Sequence, residues 1–311
     1  MDPIKPRILV NDQDRVVLNQ HYLRPIFANY FDIVDYDPAQ NYNAKEYCVM
    51  TNSNFVNTWY TDLVNSGSRL IVDNLIEWQV SDIIAERYKG QAYVWSAKNY
   101  MWINEYYLWI TQGYQNYQPN KQYTHRAFLA IRQLKPHRRQ LLAALEPVLD
   151  QLLYSVIDLG RRLPNDLEES EGIFQRYFTP EWYDSTYFTI VSETVTYSKY
   201  PVKVSEKTFK PISFYHPFIM FGQTGTLAYL HELGFETFEN LFDETYDLVE
   251  NQPTRLAQIV DNVQNFNETA YDPLTLAKLE HNHNLFYNAD RVQQMFINDI
   301  INPILEYVNK T

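Results

Sequence analysis

Phe188 to Gly234 reads FTIVSETVTYSKYPVKVSEKTFKPISFYHPFIMFGQTGTLAYLHELG, and the order of elements in it decides the fold. FTIV is an apolar run of strand length, a polar loop follows, and SEKTFKPIS has the start of a capped helix. FIMF then reads as a second strand, GQTGT as a glycine-bounded turn, and TLAYLHEL as a helix closed by Gly234. Strands alternating with helices are the mark of βαβ units and a parallel sheet. Ser205 suits the N-cap, where its hydroxyl satisfies a free backbone amide. Glu206 and Lys207 then occupy the first turn, where unpaired amides and the helix dipole attract an anion. One carboxylate there can hold a ribose diol, and one ammonium can neutralise a diphosphate. Gly222 and Gly225, with Thr226 beside them, let the backbone approach a ligand. GQTGT lacks the GKS or GKT ending of a P-loop.

Working outward, the same alternation recurs. Apolar runs at Arg7 to Val10, Phe31 to Asp35, Lys45 to Met50, Arg69 to Asp73 and Ala92 to Ser96 read as strands, with a helix expected over His21 to Tyr30. Gln112 to Tyr123, QGYQNYQPNKQY, is polar and holds Gly and Pro, which marks a linker. Beyond it Ala127 to Ile131 reads as a strand, and Lys135 to Tyr154 as a helix that Pro147 should kink or break. Leu274 to Val308 carries helical patterns interrupted near Asn302-Pro303. The expected fold is α/β, with two Rossmann-like domains facing across a cleft and helices at the C-terminus. The expected domains are 1–115 for an acceptor and 116–311 for a nucleotide-sugar donor, the latter with the helical tail.

Composition limits the alternatives. At 311 residues with a 45% hydrophobic content, the chain can bury a sizeable core. The single cysteine, Cys48, excludes an intrachain disulfide and fits a reducing cytosol. No apolar run approaches the roughly 18 residues of a membrane span, and MDPIKPRILV lacks the plan of a signal peptide. A cytoplasmic protein without membrane partners is therefore expected. The net charge of −12 argues against a protein that coats nucleic acid. Lys121 to Arg162 nevertheless holds 8 Lys/Arg against 3 Asp/Glu, an island suited to a local phosphate site or to a solvated helix face.

The order of these motifs resembles the donor domain of fucosyltransferase-like glycosyltransferases, which have a GT-B-like fold. It is more similar to phage-type glycosyltransferases with an EKTFKPI…HPF…G…GTL…GF.TF..LFDE.YD pattern. The matching residues are Glu206 to Ile212, His216 to Phe218, Gly222, Gly225 to Leu227, Leu230, Gly234-Phe235, Thr237-Phe238, Leu241 to Glu244 and Tyr246-Asp247. The likeness weakens back to Phe128 and fades before it. It implies transfer of a sugar from a nucleotide diphosphate sugar to an acceptor hydroxyl, in an infected or host bacterial cell. By this resemblance Glu206 binds the donor ribose and Lys207 its diphosphate. Arg138, following a strand in FLAIRQLKPHRRQLL, joins them on the phosphates, with the backbone at Gly222, Gly225 and Thr226 assisting. Lys210-Pro211 departs from the fucosyltransferase pattern, and the proline should end or bend the donor helix.

An acceptor hydroxyl needs a base in an inverting transfer. Asp12, directly after the first strand, is the first choice over Asp14, Asp73, Glu77 and Glu105. Asp12-Gln13-Asp14 also reads as a DxD metal motif, but it falls too early in the chain. His281 and His283 are two apart on an expected helix and do not share a face. No metal and no cofactor beyond the nucleotide-sugar co-substrate is expected. The phage-type likeness suggests a hydroxymethylated pyrimidine in DNA as acceptor, with a glycan or protein hydroxyl as the alternative. A non-catalytic nucleotide-binding or interaction protein on the same fold is the rival from another class.

Overall fold

The structure is a computed structural model that describes residues 5–12, 21–52, 59–73, 92–95, 99–163, 179–197 and 202–310. It divides into two compact units, Met1–Thr111 with Ala289–Thr311, and Gln112–Asn288.

Among the described residues the first unit holds a parallel sheet of β1 (Arg7–Val10), β2 (Asp32–Asp35), β3 (Tyr47–Asn52), β4 (Arg69–Asp73) and β5 (Ala92–Trp95). Their order is β2-β1-β3-β4-β5. Strands buried on both faces carry continuous rather than alternating apolar runs. Ile8, Leu9 and Val10 are accordingly all buried, as are Leu70, Ile71 and Val72. Helix α1 (Tyr100–Thr111) buries Trp102, Ile103, Tyr106, Leu108 and Trp109. Where a helix is expected over His21 to Tyr30, only Arg24–Phe27 is helical.

In the second unit β6 (His125–Ile131) leads to α2 (Pro136–Leu145), then β7 (Leu152–Val156) and β8 (Thr186–Ser192). Helix α3 (Glu206–Ser213), β9 (Phe218–Phe221) and α4 (Thr226–Glu232) follow. All pairings are parallel, in the order β7-β6-β8-β9. Phe188, Phe242 and Phe266 pack ring against ring at 4.7–5.7 Å beneath β8. The edge strand β9 is buried throughout, and the Met220 amide donates to the Tyr246 hydroxyl at 3.0 Å, which satisfies one of its amides.

Two expectations are corrected. The helix read over Lys135 to Tyr154 ends at Leu145, and a 3-10 segment, Glu146–Gln151, leads into β7. Pro147 lacks the amide that a continuing helix requires, so the leucines at 152 and 153 belong to a strand. The helical tail also changes unit. Beyond α5 (Gln252–Gln264) and α6 (Pro273–Phe286), the helices α7 (Ala289–Phe296) and α8 (Asn302–Asn309) join the first unit, not the second. Val292, Phe296, Ile300, Ile304 and Val308 recur every four residues and are all buried. Each such side chain contributes roughly 1.5–3 kcal/mol. Phe296 meets Phe27 at 5.1 Å, and Arg69 donates to the carbonyls of Tyr307 (2.9 Å) and Lys310 (2.7 Å). A π-helical turn, Ile297–Ile301, lies where Pro303 removes an amide from the ladder.

Candidate functional site

In a sheet with this strand order the chain leaves β6 in one direction and reaches β8 on the other side. The resulting crevice, outside the carboxyl ends of β6 and β8, is where parallel sheets bind ligands. Arg138, in the first turn of α2, lies there with only 4% exposure. Its Nη1 donates to the Gln133 carbonyl at 3.0 Å. Its Nη2 donates to Ser192 O at 3.1 Å and Glu193 O at 3.3 Å. Burial lowers its pKa, and the carboxylates of Glu193 and Glu206 pull it back up. The guanidinium thus ties the loop after β6 to the end of β8. His137 adds a second tie, its Nε2 lying 3.1 Å from the Glu193 carbonyl.

Glu193 is the hub of the crevice, and its carboxylate is saturated. Oε1 accepts from the Ser205 amide (2.9 Å) and the Thr208 hydroxyl (2.6 Å). Oε2 accepts from the Ser205 hydroxyl (2.6 Å) and the Thr194 amide (3.2 Å). Four donors converge on one buried carboxylate and fix the start of α3 against β8. Ser205 caps that helix as expected, accepting from the Lys207 amide. Pro211 lies inside α3, which ends two residues later at Ser213.

Glu206 and Lys207 meet at the mouth. Lys207 Nζ lies 2.5 Å from Glu206 Oε1, 3.3 Å from Ser205 Oγ and 3.4 Å from Thr194 Oγ1. Burial raises the Glu206 pKa, but the charges of Lys207 and Lys210 and the Lys207 hydrogen bond outweigh it, leaving the carboxyl at about 2. Arg138, Glu206 and Lys207 are therefore brought together around Glu193.

The GQTGT turn packs against Glu193. A Cβ on Gly222 would stand 3.0 Å from Thr226 Oγ1 and 3.5 Å from Glu193 Cγ, so a side chain there would press on the Thr226 hydroxyl beside the hub. Gly225 adopts φ +80°. The amides expected to face a ligand are taken internally: Thr226 N and Leu227 N each donate to the Asp247 carboxylate at 3.0 Å, and Gly225 N to the Asp247 carbonyl at 2.9 Å. Burial raises the Asp247 pKa, while the amides that reach its carboxylate, Leu227 and Thr226 among them, oppose the rise. The turn contributes shape, and its anion is one of the protein's own side chains.

The remaining expected residues lie elsewhere. Asp12 is exposed in the turn after β1 of the first unit. Asp14 and Glu77 fall outside the described residues, as does the side chain of Asp73 at the end of β4. Glu105 is buried on α1 and accepts from Asn104 Nδ2 at 3.0 Å, while Asn104 Oδ1 accepts from the hydroxyls of Tyr22 and Tyr100. His281 and His283 point apart: His281 Nε2 meets the Gly234 carbonyl at 2.8 Å, whereas His283 stacks on Tyr215 with ring centroids 4.0 Å apart. His216 of the HPF motif is fully buried, with Nε2 2.8 Å from the Thr186 carbonyl and Nδ1 2.9 Å from the Thr189 hydroxyl. A carbonyl only accepts, so Nε2 carries a proton, and burial pushes the ring's pKa well down, toward the neutral form. It packs the motif without facing the crevice.

Two residues at the crevice escape a sequence reading. Glu193 stands at the end of an apolar run, a position as suggestive as that of Asp73. Arg255 falls on the apolar stripe of α5, in step with Ile259 and Val263, which is the signal it offers. Its Nη2 donates to the Thr196 carbonyl at 2.7 Å, and its Nη1 to the Val249 carbonyl at 3.1 Å and to the Thr224 hydroxyl. No protein-family model and no curated protein sequence matches the chain. Among the described residues, no helix is long and apolar enough to cross a membrane.

Proposed function

We propose that the chain is a glycosyltransferase that moves a sugar from a nucleotide diphosphate sugar to an acceptor hydroxyl. The observation that carries this reading is the gathering of Arg138, Glu206 and Lys207 at the carboxyl ends of β6 and β8. In the finer form of the proposal the two units are Rossmann-like halves of a GT-B-like enzyme, the second holding the donor. The diphosphate approaches the first turn of α3 and takes Lys207 from Glu206. The released Glu206 carboxylate, ionised at neutral pH, then accepts from the ribose hydroxyls. Arg138 acts from behind as a fixed positive charge and as the tie that keeps the two loops in register. Asp12 of the first unit is assigned deprotonation of the acceptor, a hydroxymethylated pyrimidine in DNA or, alternatively, a glycan or protein hydroxyl.

One observation favours a second reading, a nucleotide-binding protein without catalysis. Glu206 and Lys207 satisfy each other, and the amides of the GQTGT turn are already occupied. The two readings separate in an assay of nucleoside diphosphate release from a panel of nucleotide sugars, run with hydroxymethylated DNA and with glycan acceptors. The transferase reading expects acceptor-dependent release that Lys207→Ala abolishes. Nucleotide binding without release from any donor supports the second reading.

A further inference from the structure

Among the described residues, Val195, Tyr197 and Leu248 are large apolar side chains left exposed beside the crevice, Tyr197 at 83% and Leu248 at 76%. Val195 and Tyr197 flank Thr196, and Leu248 precedes Val249; both of those carbonyls are held by the one buried guanidinium of Arg255. Thr196 is itself buried, with its hydroxyl 3.4 Å from Gln252 Oε1. A phenol ring and an isobutyl group are thus presented to solvent from a pinned support.

The same segment starts at the proposed phosphate site. The Thr194 hydroxyl meets Lys207 Nζ at 3.4 Å, and the Thr194 amide donates to Glu193. Tyr197 lies three residues further on, a reach of at most about 10 Å along extended chain. A ribose bridges a gap of that order between a phosphate and a base. A flat heteroaromatic ring is also the chemistry that an exposed tyrosine face takes up, because stacking needs a π-face and no fixed hydrogen-bond pattern.

We propose that Tyr197, with Leu248 on the other arm of the Arg255 clamp, is the stacking platform for the base of a nucleoside diphosphate whose phosphates lie on Lys207. The inference rests on the donor-site reading above and adds the base subsite to it. Stacking on one ring contributes little discrimination among bases, so the platform supplies affinity and leaves base choice to other contacts.

The test is calorimetric titration of the full chain with UDP, GDP, ADP, dTDP and inorganic pyrophosphate. It compares wild type with Tyr197→Phe, Tyr197→Ala and Lys207→Ala. Tyr197→Ala is expected to weaken the tightest nucleoside diphosphate by roughly 5- to 100-fold, while Tyr197→Phe retains its affinity. Pyrophosphate, which has no base, should bind Tyr197→Ala as it binds wild type and should lose affinity in Lys207→Ala. Unchanged nucleotide affinity in Tyr197→Ala, or an equal loss for pyrophosphate, overturns the base platform alone. So does wild-type binding of pyrophosphate with no gain from an attached nucleoside. Absence of binding by every probe overturns the donor-site reading and the platform together.

Discussion

Lys207 Nζ lies 2.5 Å from Glu206 Oε1, so the two adjacent residues at the start of α3 neutralise each other. Neighbours in sequence ordinarily diverge on a helix, and they meet here because the first turn leaves both side chains at the open end. Removing either partner frees the other, and the two variants therefore act in opposite directions. Lys207→Ala leaves a bare carboxylate that repels a phosphate, and nucleoside diphosphate affinity should fall about tenfold or more. Glu206→Ala leaves Lys207 unpaired, so pyrophosphate affinity should hold or rise while the ribose-dependent increment is lost. Titration calorimetry with pyrophosphate beside a nucleoside diphosphate separates the two effects.

The same pair sets an acid limit on stability. The Glu206 carboxyl titrates at about 2 in the folded chain against an ordinary value of 4.5. A depressed carboxyl stabilises the fold fully above its unfolded pKa, and that contribution disappears as pH falls through the window from 4.5 to 2. Lys207→Ala removes much of the depression. The gap in melting temperature between wild type and Lys207→Ala should therefore narrow as pH drops below 4.5. A gap that stays constant down to pH 2 contradicts the ion pair.

His283 works in a higher window. Burial lowers its pKa from 6.5 to about 4, so the unfolded chain takes up a proton that the folded chain refuses. Stability is intact above 6.5 and declines as pH falls from 6.5 toward 4. His216 adds to the same decline, its pKa also pushed down by burial. Replacing His283 by Phe keeps a ring against Tyr215 and removes one titrating group. Urea unfolding of His283→Phe should show a shallower loss of stability between pH 6.5 and 4 than wild type.

Glu193→Gln tests the hub without changing its shape. Two backbone amides, of Ser205 and Thr194, approach opposite oxygens of the carboxylate. A carboxamide must turn its NH2 toward one of them, whichever way it is flipped. The buried clash costs about 1–3 kcal/mol, read as a lower urea midpoint with an unchanged slope. Loss of binding at 25 °C in a still-folded Glu193→Gln would place the hub in control of the Lys207 geometry as well.

Gly225 isolates backbone strain from packing. The nearest atom to an added Cβ is Val202 Cγ2 at 4.0 Å, so space is available, but φ is +80°. Gly225→Ala should cost about 1–2 kcal/mol from conformation alone. Gly225→Asn should cost less, since asparagine tolerates the left-handed region. At Gly222 the order reverses, because any side chain there meets Thr226 and Glu193.

Much of the α/β pattern is legible because parallel strands buried on both faces leave unbroken apolar runs such as RILV, RLIV and FIMF. β7 is hidden because Leu141, Leu145, Leu149 and Leu152 hold near-helical spacing straight through the break at Pro147. Ser205, Glu206 and Lys207 are readable as a capped helix start, since capping is local chemistry. Glu193, Asp247 and Arg255 are not, because each acts on backbone atoms far from it in sequence: Arg255 reaches Thr196, and Asp247 reaches Thr226. The units divide at Thr111 and Gln112, and the polar stretch that follows packs onto the second unit, with the Tyr117 hydroxyl on Asp184 at 2.5 Å; the return of residues 289–311 depends on a surface built from Phe27 and Tyr107 that no local pattern announces.

That return has a consequence for synthesis. The second unit is one uninterrupted segment, Gln112–Asn288, while the first needs residues from both sides of it. A ribosome delivers Phe296, Ile304 and the Arg69-binding carbonyls of Tyr307 and Lys310 only after the whole of the second unit. Domains otherwise tend to fold in order of emergence. Here the later-made unit is complete while the earlier-made one still waits for α7 and α8, so the nascent N-terminal sheet keeps that face uncovered until the whole second unit has been synthesised.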